Sequence, residues 1–151
     1  MKYIFAVLIS VMVLGCAATQ EGITSVRLFP ADLEFQHKAS VGNPMITILY
    51  TITKPRSPYE QTYGTVHLQD VYSYHSFVDG VLMITADEQV KNSPLNYYRY
   101  SLKNLPDTIA IQDLRIAIHS VDNQSIVYRI LNDGGIDRIN RRIKQQYQLP
   151  Q

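Results

Sequence analysis

Residues 45–53 constrain this chain more than any other stretch. Ile46, Ile48, Tyr50 and Ile52 alternate with Thr47, Leu49, Thr51 and Thr53. A period of two sends successive side chains to opposite faces of an extended chain, whereas a helix would scatter these four apolar residues around its axis. The apolar set faces a core. The threonine set faces water or a neighbouring strand. The same rhythm recurs at residues 24–29, 33–37, 64–74, 81–86, 97–102, 108–121 and 125–131. Pro30, Val41-Gly42-Asn43-Pro44, Val78-Asp79-Gly80, Leu105-Pro106-Asp107 and Asp122-Asn123-Gln124 punctuate it. About seven or eight short strands at spacings near ten residues predict an all-β or β-rich α+β chain. The expected architecture is an antiparallel β-sandwich with a C-terminal amphipathic helix, by analogy with immunoglobulin or transthyretin folds.

Residues 1–16, MKYIFAVLISVMVLGC, stand outside that pattern. Lys2 precedes an apolar run over residues 3–14, and the small Gly15 precedes Cys16. A short positive region, an apolar region and small residues at the cut mark a secretory signal peptide. The run is too short for a bilayer core, which needs about 20 residues. Val13-Leu14-Gly15-Cys16 resembles the lipobox of bacterial lipoproteins. The resemblance covers residues 1–16 alone. It implies cleavage before Cys16, diacylglycerol on the Cys16 sulfur and an acyl chain on the new amino group. It also implies the outer membrane, facing the periplasm, because Ala17 stands where an Asp usually signals inner-membrane retention. A Gram-positive source would mean the outer face of the cell membrane instead. Cys16 is the only cysteine, so no internal disulfide can form, and an acylated sulfur is neither nucleophile nor metal ligand.

The expected plan is a signal peptide over 1–15, a lipidated Cys with a short tether over 16–22, and one β-rich domain over 23–151. The tether reaches at most about 20 Å, which keeps the domain beside its membrane. Formal net charge is +1 with Lys2 counted, so nucleic acid is not an expected partner. Eleven tyrosines and no tryptophan suit a strand-rich chain.

Motifs for chemistry are missing from the sequence. There is no G-x-S-x-G elbow, no Gly-rich phosphate loop, no H-E-x-x-H and no cysteine pair. His67 and His75 are read as ordinary strand histidines. Asp87 and Glu88 are read as a solvated loop pair, since neighbours in an extended chain point apart. Asp70 interrupts the face formed by Val66, Leu68, Tyr72 and Tyr74, and a bulge there would turn it outward. No catalytic residue, metal or cofactor is expected.

Two surfaces remain as candidates. The loop at residues 54–63 carries Arg56, Tyr59 and Tyr63, residue types common at interfaces. Residues 136–147 read as a helix with Ile136, Ile139, Ile143 and Tyr147 on one stripe. Arg138, Arg141, Arg142 and Lys144 follow, weighted to the end where the helix dipole favours cations. Such a helix could lie on anionic lipid or an acidic partner, but the narrow stripe favours docking on the sheet. The expected function is a non-catalytic envelope lipoprotein, anchored through Cys16. It would bind a protein partner as an accessory of an assembly, secretion or conjugation complex. Arg56, Tyr59, Tyr63, Arg138, Arg141 and Arg142 are its candidate contacts. The alternative is a periplasmic ligand-binding module, holding a glycan or small molecule on Tyr59, Tyr63, Tyr97, Tyr98 and Tyr100 gathered at one cleft.

Overall fold

The alternating stretch forms the middle of β3 (Pro44–Pro55), with Ile46, Ile48 and Ile52 buried as the pattern requires. The computed structural model describes residues 22–55 and 63–147. Eight further strands accompany β3: β1 (Gly22–Phe29), β2 (His37–Ser40), β4 (Tyr63–Val78), β5 (Val81–Glu88), β6 (Asn96–Ser101), β7 (Asp107–Ile111), β8 (Leu114–Val121) and β9 (Ser125–Ile130). They build a five-stranded sheet in the order β1-β3-β4-β5-β6 and a four-stranded sheet in the order β2-β9-β8-β7. Every neighbouring pair is antiparallel. The molecule is a β-rich sandwich closed by one C-terminal helix.

The core forms between the inner faces. Ile46, Tyr72, Tyr74, Leu82 and Ile84 come from the larger sheet, and Ile111, Leu114, Ile116, Ile118, Ile126 and Ile130 from the smaller one. Burying each such side chain contributes about 1.5–3 kcal/mol. Buried tyrosines need partners for their hydroxyls. Tyr128 of the smaller sheet donates to the Met45 carbonyl of the larger, and Tyr74 donates to the Asp122 carbonyl in the β8–β9 turn.

The structure corrects several expectations. Residues 33–35 form bends, and the strand begins only at His37. Here the chain crosses from the edge of one sheet to the edge of the other. The apolar phase of residues 108–121 changes between Ile111 and Leu114, which predicts a bulge at Gln112 or Asp113 in one long strand; the structure has a two-residue turn there instead, pairing Ile111 with Leu114. Gln112 adopts a φ of 52°, a conformation expected of Gly or Asn. A polar pair without glycine gave no turn signal. The bulge in β8 lies between Ile118 and Ser120. In β4 the register shifts between Tyr74 and Ser76 and not at Asp70, so Asp70 stays on the inward face.

Helix α1 (Ile136–Tyr147) occupies the predicted residues. Asp133 caps it, accepting from Gly135 N–H and Asp137 N–H at 2.9 Å each. Ile136 and Ile143 are buried, but Ile139 is 40% exposed. Asn140 takes its place on the docking face. Its amide accepts from Val26 N–H at 2.9 Å and donates to Val26 C=O at 2.8 Å. Val26 lies on β1, an edge strand, so Asn140 pairs backbone groups that the sheet leaves open.

Candidate functional site

The least expected feature is a pair of buried carboxylates. Asp70 on β4 and Glu88 at the end of β5 are cross-strand partners, 1% and 3% exposed. Asp87 is exposed, so only the second half of the expected solvated pair is misplaced. Strand β5 runs two residues beyond the apolar stretch, which carries Glu88 inward. Glu88 Oε1 accepts from Gln112 Nε2 at 2.8 Å, Tyr72 OH at 2.9 Å, Lys91 Nζ at 3.1 Å and Tyr98 OH at 3.4 Å. Gln112 Nε2 also donates to the Tyr72 hydroxyl. Asp70 accepts from Val90 N–H at 3.2 Å, and its charge acts on the nearby Tyr50 phenol.

These surroundings split the pair. Burial pushes Asp70 above its usual carboxylate value; the Val90 N–H opposes this and the Glu88 charge adds to it. Burial also pushes Glu88 up, but hydrogen bonds from Gln112, Lys91 and Tyr72 outweigh it and leave its carboxyl below the usual value. Burial and the Asp70 charge raise Tyr50 to about 12. The site thus holds one firmly ionised carboxylate, one reluctant one and phenols that keep their protons at neutral pH. With four donors on one oxygen and almost no exposure, Glu88 is occupied by the protein itself. The arrangement ties the Gln112 turn of the smaller sheet to the β4–β5 ladder of the larger. Among the described residues no group of three His, Cys, Asp or Glu side chains could hold a metal.

Among the described side chains, Tyr97, Tyr98 and Tyr100 do not gather at one open cleft. Tyr50, Tyr72 and Tyr98 aim hydroxyls into the buried cluster. Tyr100 reaches the Ala110 carbonyl at 2.6 Å. Tyr97 points away, its ring packed edge-on against His75 at 5.4 Å. His67 is exposed and sits 3.4 Å from the Thr51 hydroxyl.

Of the candidate contacts, Arg56 and Tyr59 lie outside the described residues. Tyr63 opens β4, opposite Pro55. Arg138, Arg141 and Arg142 are exposed on α1, with Arg141 at the rim of the hollow that Thr24, Ser25, Val26 and Arg27 line on β1. Lys91–Glu88 is the only ion pair among the described residues, so none of the three arginines is held by a described carboxylate. Helix and edge strand enclose a groove of two adjoining hollows, of about 580 and 380 Å³. Arg27, Leu28, Phe29 and Leu33 line it on the strand side, and Asp137 and Asn140 on the helix side. Neither sequence stretch suggests a groove by itself; it exists because α1 packs against β1.

No known family model, curated protein or solved structure matches this chain.

Proposed function

We propose that this chain is the precursor of an envelope lipoprotein, anchored in the outer membrane by acyl groups on Cys16. Its sandwich binds a protein partner as a non-catalytic accessory of an assembly, secretion or conjugation complex. The observation that supports a binding role is the groove between β1 and α1. It has apolar residues on its walls (Leu28, Phe29, Leu33) and charged ones at its rim (Arg27, Asp133, Asp137), the layout of a protein interface. Phe29 on its wall is 45% exposed, and Phe35, in the segment that follows β1, is 63% exposed. Leu28, two residues beyond Val26, presents its backbone to the same open edge. The polar cluster at Glu88 supports binding over catalysis, because its donors and acceptors are spent on one another.

The test is crosslinking of the lipidated protein in its own envelope, followed by mass spectrometry. Cys16→Ser and Phe29→Asp/Phe35→Asp variants run beside it. A single stoichiometric partner, reduced at least tenfold in both variants, is the expected result. A folded, membrane-bound protein with no partner would sink the proposal. Capture that survives Phe29→Asp/Phe35→Asp would move the interface off the groove.

A further inference from the structure

We infer that the outward face of α1 docks on anionic phospholipid headgroups, through Arg138, Arg141 and Arg142. The inference rests on the lipoprotein reading for where the membrane lies, and on the helix geometry for what meets it.

The helix has a fixed direction and a fixed rotation. One end of the groove sets Phe29 and Ala31 against Asp133 and Ile136; the other sets Thr24 and Ser25 against Asp137, Asn140 and Arg141. Helix α1 therefore runs antiparallel to β1, and its C-terminal half points toward Gly22. Gly22 is the end from which the chain leads back to Cys16, and residues 17–22 reach at most about 20 Å. The cation-rich end of the helix thus lies on the anchored side of the molecule. Rotation is set by Ile136, Asn140 and Ile143, which spend the apolar and amide face on the sheet. At 100° per residue, Arg138 lies opposite that face and Arg141 and Arg142 flank Arg138 on either side, Arg141 at the rim of the groove, and all three are exposed.

Charge completes the argument. Helix α1 carries four cations (Arg138, Arg141, Arg142, Lys144) and one carboxylate (Asp137). Lys2 is the only charged residue before Cys16, which leaves 13 cations and 13 carboxylates after it. The helix is thus +3 and the rest of that segment −3. A neutral protein that concentrates its positive charge beside its anchor is built to sit on a negative surface. Because Ile136 and Ile143 are spent on the sheet, the contact is made by guanidinium groups on phosphates and not by insertion of the apolar face.

The mature chain with Cys16→Ser isolates this contact from the acyl chains. Its sedimentation with phosphatidylethanolamine–phosphatidylglycerol vesicles is compared with phosphatidylethanolamine–phosphatidylcholine vesicles. Binding to the anionic vesicles alone is expected, lost at high salt. It should fall roughly fivefold for each arginine neutralised in Arg141→Gln and Arg141→Gln/Arg142→Gln. Unchanged circular dichroism would show that the variants are folded. Equal binding to both vesicles, no binding to either, or indifference to the substitutions would overturn the inference. So would tighter binding to polyglutamate than to the anionic vesicles, which would assign the face to an acidic protein. Acylation of Cys16 is read separately, from the mass of the protein purified from membranes. A failure of the lipoprotein reading is therefore visible apart from a failure of the helix to bind lipid.

Discussion

Asp70 and Glu88 face each other across one ladder, yet burial and hydrogen bonding drive their protonation in opposite directions. The signs lead to opposite responses to pH. Asp70 has a raised folded value, so its contribution is fully present below the ordinary carboxylate range and is lost as pH rises through the folded value. Glu88 has a lowered folded value, so its contribution is present above the ordinary range and is lost as pH falls through the folded value. Asp70→Asn should therefore stabilise the protein at neutral pH, an advantage that disappears on acidification. Glu88→Gln should cost roughly 2 kcal/mol at neutral pH, because charge-assisted hydrogen bonds become neutral ones. That penalty should shrink in acid. Urea unfolding of both variants at a series of pH values checks this, and parallel pH slopes would contradict it. The pair was half legible in the sequence. Asp70 stood out on an apolar face, but the alternation of one strand cannot say which residue of another lies opposite. Glu88 looked solvated because the residues after it are polar. Gln112 showed only as a break in the apolar phase: its importance comes from a left-handed turn that delivers its amide from the other sheet.

The helix illustrates the same limit at the scale of an element. Its boundaries and basic face were readable, since periodicity and charge are local. Its docking face was read one residue off, with Ile139 in place of Asn140. An asparagine becomes valuable there only because an edge strand leaves Val26 N–H and C=O unpaired by the sheet. Asn140→Ala should remove both hydrogen bonds and cost about 2 kcal/mol. Hydrogen exchange at the Val26 amide should accelerate more than exchange in β4 or β8. Asp133→Ala should cost about 1 kcal/mol by removing the cap, and should loosen the first turn of α1 without speeding exchange at the β3–β4 ladder. Equal acceleration throughout the sandwich in either variant would mean that the helix and the sheets unfold together. Turn chemistry explains the other misreading. Val78-Asp79-Gly80 and Asp122-Asn123-Gln124 were found because their residue types favour turns, while Gln112-Asp113 was hidden inside an apolar run that reads as one strand.

For the whole molecule, α1 does two things that the strands cannot. It covers the open edge of β1, and it carries the net positive charge of an otherwise acidic sandwich. The larger sheet ends in β1 and β6, and an uncovered edge is a template for pairing with another chain. Val26 is held by Asn140, and Ile136 and Ile143 are buried where the helix docks. Removing residues 136–151 would free the Val26 backbone, expose the apolar contact and turn the remaining charge negative in a single step. The nine-stranded core keeps its cross-sheet anchors, Tyr128 to Met45 and Tyr74 to Asp122, so the shortened chain should still fold. It should, however, self-associate through β1. Analytical ultracentrifugation over a concentration series should show a monomer for the full mature chain with Cys16→Ser and dimers or larger species for the shortened one. Lys substituted for Thr24 on the exposed edge of the shortened chain should restore the monomer, as charged edges do elsewhere. A shortened chain that stays monomeric would show that the register shift between Ile23 and Ser25 already protects the edge. In that case the work of α1 lies in its charge alone.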